Sequence, residues 1–218
     1  MRGTDTKTAL LDAGERLFAD RGFAATSLRD LTAAAGTNLA AVNYHFGSKD
    51  ALAKAVLHRR IAPINAERLR RLAALPARAG VAAIVRAFVE PPLTHGCDDD
   101  DDDDEPAPER MCRVFGRLSV EQPPFLRAFL EQQFRAVATR FHAALQRVLP
   151  GLDGAAIWWR LHFVVGAMAH TLQNSHLLPS LSRGTCGPVD RAALCEQLVA
   201  FATGGLRAAA ASAEEARR

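Results

Sequence analysis

Tyrosine occurs once in this 218-residue chain, β-branched residues rarely fall in runs, and no segment alternates apolar and polar residues at the period of a strand. These absences argue against a sheet, while the abundance of Ala, Leu and Arg favours helices. Cysteine is also scarce. Cys97, Cys112, Cys186 and Cys195 form no CxxC or CxxH pair, so no zinc site and no other metal centre is expected. The first residues, MRGTDTKTALL, lack the apolar run of a signal peptide, and reduced thiols in a cytoplasmic protein are the simplest expectation. The longest apolar stretch, Ala155–Leu172, contains Arg160, His162 and His170. It is too polar and too short for a membrane span. There is no G-x-S-x-G, no Cys/His pairing and no phosphate loop. No catalytic residue, no enzyme and no cofactor is therefore expected, and His142, His162, His170 and His176 read as packing or surface residues.

Lysine is limited to Lys7, Lys49 and Lys54, so nearly all positive charge is Arg, and the formal net charge is +3. Residues 1–60 carry nine Lys and Arg against six Asp and Glu. In the rest the two signs balance at eighteen each, but eight of those acids lie in the run Asp98–Glu105. The remainder of the chain is basic. Seven consecutive aspartates repel one another, so a disordered acidic loop is expected over 94–108. The run lacks the glycine and spaced ligands of a calcium loop.

Helical periodicity is present from residue 6 to 21, with Leu10, Ala13 or Gly14, Leu17 and Phe18 on one face and Gly22 as the stop. Ser27 with Asp30 resembles a capping box ahead of a short helix, Leu28–Ala35. Gly36-Thr37-Asn38 is a turn, and Leu39–His45 makes a second short helix that Gly47 ends. Ser48 starts a long one, which Pro63 is expected to kink or end. Pro76–Gly80 reads as a linker. Helices are expected at Val81–Val89 (closed by Pro91-Pro92), Met111–Val120, Pro124–Leu149, Asp153–His176 and Val189–Ala211, giving about nine in all.

A short helix, a glycine turn and a second short helix form a helix-turn-helix. The second helix is unusual outside. Thr37, Asn38, Ala40 and Asn43 are small or polar, whereas Val42 and Phe46 are spaced to face inward. Small residues let a helix backbone approach base edges, and Asn pairs with adenine. Tyr44 and His45 end that helix, and Lys49 stands at the start of the next, where free N–H groups favour an anion. Two readings stay open on the residues alone: a duplex-docking surface, or a half-buried Tyr44–His45 pair that pins the turn.

Residues 6–60, with "ALLDAGERLFADRGFAATSLRDLTAAAG" followed by "NLAAVNYHFGSKDAL", resemble the DNA-binding domain of TetR-family transcriptional repressors. The resemblance implies an all-α chain. A three-helix helix-turn-helix DNA-binding domain (1–48) precedes a larger helical ligand-binding and dimerisation domain (49–218). It places Arg29, Thr37, Asn38, Leu39, Asn43, Tyr44, His45 and Lys49 against a double-stranded operator. Asn43 departs from the pattern, since many relatives carry an aromatic residue there. "WWRLHFVVGAMA" adds a likeness to the fatty-acid-responsive PsrA branch. The implied partner is a small hydrophobic effector, a long-chain fatty acid or its coenzyme A thioester.

In the larger domain, Asp153–His176 carries Trp158, Leu161, Val165, Met168 and Leu172 on one face and Trp159, Phe163, Gly166 and His170 on another. A helix apolar on two sides is covered on both, by a pocket and a partner subunit or by a monomer's own core. Phe88, Phe115, Trp159 and Phe163, with Arg160 for a carboxylate, are the expected ligand residues. Leu161, Val165, Met168, Leu194, Leu198 and Phe201 are the expected dimer residues. Two copies reading a palindrome also explain how so short a helix reaches specificity. Competing readings are the same class of regulator sensing another hydrophobic or aromatic compound and, more remotely, an acyl-processing enzyme or a helical scaffold.

Overall fold

The computed structural model describes residues 3–94, 107–188 and 190–208, and helices carry most of them. In chain order they are α1 Gly3–Arg21, α2 Leu28–Ala34, α3 Leu39–His45, α4 Lys49–Ala74, α5 Val81–Thr94, α6 Ala107–Glu121, α7 Leu126–Val148, α8 Gly154–Asn174, α9 Leu178–Leu181 and α10 Arg191–Arg207. A 3₁₀ turn, Ser175–Leu177, joins α8 to the four-residue α9. No strand occurs among the described residues. The expected all-α fold is met, with nine helices of seven residues or more among those residues. Most of the expected acidic loop lies outside the described residues; of its two ends, Thr94 closes α5 and Ala107-Pro108 open α6.

The prolines end no helix, against the expectation for Pro91-Pro92 and against one of the two alternatives for Pro63. Pro63 lies inside α4 and ends nothing. Its side is exposed, so water can take up the carbonyl that lost its backbone donor. Pro91 and Pro92 lie within α5, which runs on to Thr94. Pro92 deprives the Phe88 carbonyl of its i+4 donor, and Arg68 Nε donates to that oxygen instead at 2.8 Å. A side chain twenty residues upstream thus repairs the ladder, which no local pattern announces.

The described residues pack as two compact units. The first takes residues 3–65 and 107–135, the second residues 66–94, 136–188 and 190–208. The first unit therefore gathers more than residues 1–48, because α6 and the start of α7 pack with the N-terminal helices. Its core holds Leu10, Phe18, Leu31, Val42, Leu57 and Leu118. Each such side chain contributes about 1.5–3 kcal/mol by leaving water. Gly14 marks a close approach. A Cβ there would stand 2.9 Å from both Leu52 and Val56.

Glu15 on α1 is the polar centre of this unit, with 1% exposure. Its carboxylate accepts from Arg59 Nη2 at 2.6 Å and from Arg60 Nε and Nη2 at 3.1 Å, and Arg110 Nη1 stands 4.0 Å away. Arg59 Nη1 also reaches Asp12 at 2.5 Å. One buried carboxylate thus ties α1, α4 and α6 together, and the surrounding guanidinium groups offset its desolvation.

The second unit is closed by Val85, Phe88, Phe141, Leu145, Ile157 and Leu206. Two of its helices start on aspartate caps. Asp153 accepts from Ala156 N at 2.7 Å, and Asp190 accepts from Ala192 N at 3.1 Å and Ala193 N at 3.3 Å.

Candidate nucleic-acid interface

The turn between α2 and α3 is built from capping chemistry. Ser27 Oγ accepts from Asp30 N at 3.1 Å, and Asp30 Oδ2 accepts from Ser27 N at 2.8 Å, so the capping box is complete. These bonds from Ser27 hold the Asp30 carboxyl below its usual range. At the other end Gly36 adopts φ +60°. Gly36 N donates to Ala33 O at 3.3 Å and Thr37 N to Thr32 O at 2.9 Å, the paired bonds of a Schellman stop. Asn38 then caps α3, its Oδ1 accepting from Ala41 N at 3.1 Å. Gly47, at φ +77°, ends α3 with a bond to Asn43 O at 3.1 Å, and Ser48 Oγ caps α4 through Ala51 N at 3.1 Å.

This geometry fixes which side of α3 is seated. Val42 is fully buried, and Ala41 and Phe46 pack beside it. The opposite side presents Leu39, Ala40, Asn43 and Tyr44 to solvent. Tyr44 is 86% exposed, which removes the reading of a half-buried Tyr44 pinning the turn. Its ring meets the half-buried His45 ring edge-on at 5.0 Å. Arg29 and Asn38 are exposed, and Thr37, His45 and Lys49 are half-buried. The eight expected DNA residues thus all retain some surface along α2, α3 and the start of α4.

Two of them carry duties the sequence did not reveal. Asn38 spends its oxygen on the α3 cap, which leaves the amide nitrogen for a base. Lys49 lies with its ammonium 4.2 Å from the Phe23 ring centroid. Burial pushes its pKa down, while Glu121, Asp50 and Asp30 pull it back up. It is a cation held on an aromatic face rather than a free charge.

Sequence reading also missed the clamp behind the motif. Arg117 of α6 donates from Nε to Ala19 O at 2.7 Å and from Nη2 to Asp20 O at 2.6 Å, capping the C-terminal end of α1 where a cation is favoured. Glu121 accepts from Ala24 N at 2.8 Å. Gly22 has φ +86°, and a Cβ there would fall 2.0 Å from Glu121 Oε1. Partners almost a hundred residues apart leave no signal in a local pattern.

In the second unit, Ile84, Val85, Phe88, Phe141, Leu145, Leu161, Val164 and Leu206 line a narrow apolar seam of about 10 Å³. Of the five expected ligand residues, only Phe88 lines it. Phe115 packs against the core of the first unit. Trp159 and Phe163 are each 62% exposed. Arg160 Nη1 donates to Leu206 O at 2.8 Å and Ala208 O at 2.7 Å, closing the end of α10.

The expected dimer residues divide likewise. Leu161, Met168 and Leu198 are buried in this unit's own core, and Leu194 is partly buried against it. Val165 and Phe201 are exposed. Trp158, Trp159 and Phe163 of α8 are exposed as well, the five spanning 40–69%, and the Trp158 ring stacks on that of His142 at 4.4 Å. α8 seats Ile157, Leu161, Val164 and Met168 in this unit, a face rotated from the Trp158–Leu172 stripe read from the sequence. Among the described residues no group of three His, Cys, Asp or Glu could hold a metal, and no helix is long and apolar enough to cross a membrane.

Comparison with known proteins fits this arrangement. Residues 10–56 match the bacterial regulatory proteins of the tetR family, and residues 86–205 match the tetracyclin repressor-like C-terminal domain. The HTH-type transcriptional repressor Rv3405c of Mycobacterium tuberculosis is 49% identical over 53 residues. That match spans 24% of this chain and only 28% of the relative. The HTH-type transcriptional regulator Mb3439c of Mycobacterium bovis gives the same figures. Among solved structures, the fatty acid degradation regulator FadR from Bacillus halodurans superposes with a TM-score of 0.68 at 13% identity, covering 93% of this chain and 96% of that one. SCO4454, a TetR-family transcriptional regulator from Streptomyces coelicolor, gives 0.62 at 22% identity, covering 94% and 95%. At such identities these likenesses concern the fold. The C-terminal match by itself takes in more than half of the sequence, and with the N-terminal match beside it the chain belongs to the TetR family of bacterial regulatory proteins.

Proposed function

We propose that this chain is a ligand-responsive transcriptional repressor of the cytoplasm that lays α3 in the major groove of a palindromic operator. The observation that carries the reading is the outer face of α3. Leu39, Ala40, Asn43 and Tyr44 stand in solvent on a helix whose opposite side is seated by the fully buried Val42. A large aromatic residue left 86% exposed has no folding role to explain it. In this reading Arg29, Tyr44, His45 and Lys49 meet phosphates, and Thr37, Leu39, Asn43 and the Asn38 amide nitrogen face base edges. A second copy covers the apolar face of α8 and α10, because one two-turn helix reads too few base pairs and a symmetric pair doubles the site.

The effector is apolar and enters the second unit, where every seam-lining side chain is apolar. Following the resemblance to the PsrA branch, it is a fatty acid or acyl thioester. Buried acyl chain contributes about 0.8 kcal/mol per CH₂ before ordering costs. The seam encloses only about 10 Å³, room for about one water-sized group, so any acyl chain must part α5, α7, α8 and α10. That parting would couple occupancy to the spacing of the two reading helices, and typical coupling of 1–3 kcal/mol lowers operator affinity roughly 5- to 150-fold.

Selection of bound sites from random duplex DNA, followed by binding at increasing salt, tests the reading. The expected result is a palindromic site whose affinity falls steeply with salt. Binding without sequence preference, or with a flat salt dependence, would overturn it. Release by planar aromatic compounds and not by acyl compounds would leave the regulator and replace the effector.

A further inference from the structure

Two of the chain's three lysines, Lys49 and Lys54, rest on one pair of aromatic rings. The Lys49 ammonium stands 4.2 Å from the Phe23 centroid, and the Lys54 ammonium 5.6 Å from that of Phe125. The Phe23 ring meets the Phe125 ring edge-on at 5.3 Å and the buried Phe18 ring at 5.7 Å. Phe125 arrives from the corner between α6 and α7. Gln122 turns the chain there at φ +44°, and Pro123 and Pro124 follow, each with φ fixed by its own ring. Glu121, one residue earlier, accepts from Ala24 N at 2.8 Å, which ties down the residue next to Phe23. The corner therefore holds Phe23 twice, through its ring and through its neighbour's backbone. Glu121, Asp50 and Asp30 act on the Lys49 ammonium through space. Among the described residues nothing accepts a hydrogen bond from that ammonium, so its donors are left for an acceptor outside the chain.

We infer that Phe23, Phe125 and Glu121 form a seat that aims the Lys49 ammonium at an operator phosphate, which makes these three positioning residues for DNA binding. This rests on reading the chain as a DNA-binding regulator and adds the residues that set the geometry of one phosphate contact. A free lysine loses much of its rotamer freedom when it meets a phosphate. One already laid on a ring has lost that freedom before the duplex arrives. A ring face also attracts the cation without neutralising it, whereas a carboxylate in the same place would compete with the phosphate.

Phe23→Leu keeps an apolar side chain and removes the ring face. It should weaken binding to a labelled duplex of the selected site about two- to fivefold per half-site. In a Lys49→Gln background the same change should have no further effect, because the cation it places is gone. Glu121→Ala should also weaken binding, and Glu121→Gln, which keeps an acceptor for Ala24 N, should restore it. Fluorescence anisotropy reads these variants. A second readout needs no DNA. Reductive methylation with isotope-labelled formaldehyde marks the lysines for nuclear magnetic resonance, and the Lys49 signal is assigned by its absence in Lys49→Gln. The Phe23 ring current should displace it upfield of the signal of Lys7, which is exposed on α1, and Phe23→Leu should move it back. Additive losses for Phe23→Leu and Lys49→Gln, failure of Glu121→Gln to restore binding, or a Lys49 signal coincident with that of Lys7 would overturn the seat and leave the regulator standing. Should Phe23→Leu fail to fold, the wild-type signal and the two Glu121 variants still decide. Wild-type binding to duplex DNA that is absent or insensitive to salt, with the Lys49 signal displaced all the same, would overturn the regulator reading and with it the phosphate role of the seat.

Discussion

Asn38 gives the sharpest test, because stability and DNA binding should respond to it in opposite ways. Its Oδ1 caps α3 through Ala41 N at 3.1 Å, and its side chain is exposed. Asn38→Ala removes the acceptor and leaves one N–H at the helix start to water. The loss of such a cap costs about 1 kcal/mol, which lowers the melting temperature of a chain this size by about 2–4 °C. Asn38→Asp keeps an acceptor in the same place. Its charge also meets the positive end of α3, worth roughly 0.3–1 kcal/mol. The aspartate variant should therefore melt at or slightly above the wild type. Its carboxylate, however, would face phosphate and acceptor-rich base edges, and the amide donor is gone. Operator affinity should fall roughly tenfold or more per half-site.

Thermal melts followed by circular dichroism and fluorescence anisotropy on one labelled operator make the comparison. Two results would refute the reasoning. If Asn38→Asp is as unstable as Asn38→Ala, the oxygen is not capping α3. If Asn38→Asp binds DNA like the wild type, the residue does not face the duplex.

Gly22→Ala should be strongly destabilising, since φ is +86° and the new Cβ would lie 2.0 Å from Glu121 Oε1; backbone strain alone is about 1–2 kcal/mol, and Gly22→Ala combined with Glu121→Ala should recover the part of the loss due to the clash in chemical denaturation. Glu15→Gln keeps the shape of the buried carboxylate but leaves Arg59 and Arg60 facing a neutral group, a change that costs about 3–5 kcal/mol when a buried pair is broken and is measured by urea titration. Glu67 is held down to about 2 from its ordinary 4.5 by hydrogen bonds from Arg70 and Arg71. A depressed carboxyl adds stability above its unfolded pKa and loses it as pH falls, so the contribution should fade between about 4.5 and 2, and a pH series on Glu67→Gln should lack that component.

What the sequence made legible was local. Ser27, Asp30, Gly36, Asn38, Gly47 and Ser48 act through bonds to residues at most five positions away, and their positions alone locate α2, α3 and the start of α4. What it hid was distant or rotational. Pro91-Pro92 were read as a stop and Pro63 as a kink or a stop, yet α4 and α5 run through them, and the Arg68 side chain satisfies the carbonyl that Pro92 leaves without a donor. In α8 almost every position is apolar, so periodicity could not distinguish the seated face of Ile157, Leu161 and Val164 from the bare one of Trp159 and Phe163. Trp159 and Phe163 received a ligand assignment from their place on a second apolar face of α8, although large aromatic residues suit a protein interface as well as a pocket.

The reading helix is positioned by the same side chains that are expected to read. Asn38 both caps α3 and faces outward, and Lys49 both opens α4 and rests on Phe23. A residue fixed at one end by a structural bond loses little further freedom on meeting DNA, which reduces the ordering cost of association. It also follows that α3 cannot be retargeted by free choice at every position. Leu39, Ala40 and Asn43 make no side-chain cap and can be varied for specificity, whereas a change at position 38 that removes the oxygen offered to Ala41 N costs about 1 kcal/mol. Variation in base preference should therefore concentrate at those three positions, with position 38 favouring Asn, Asp, Ser and Thr.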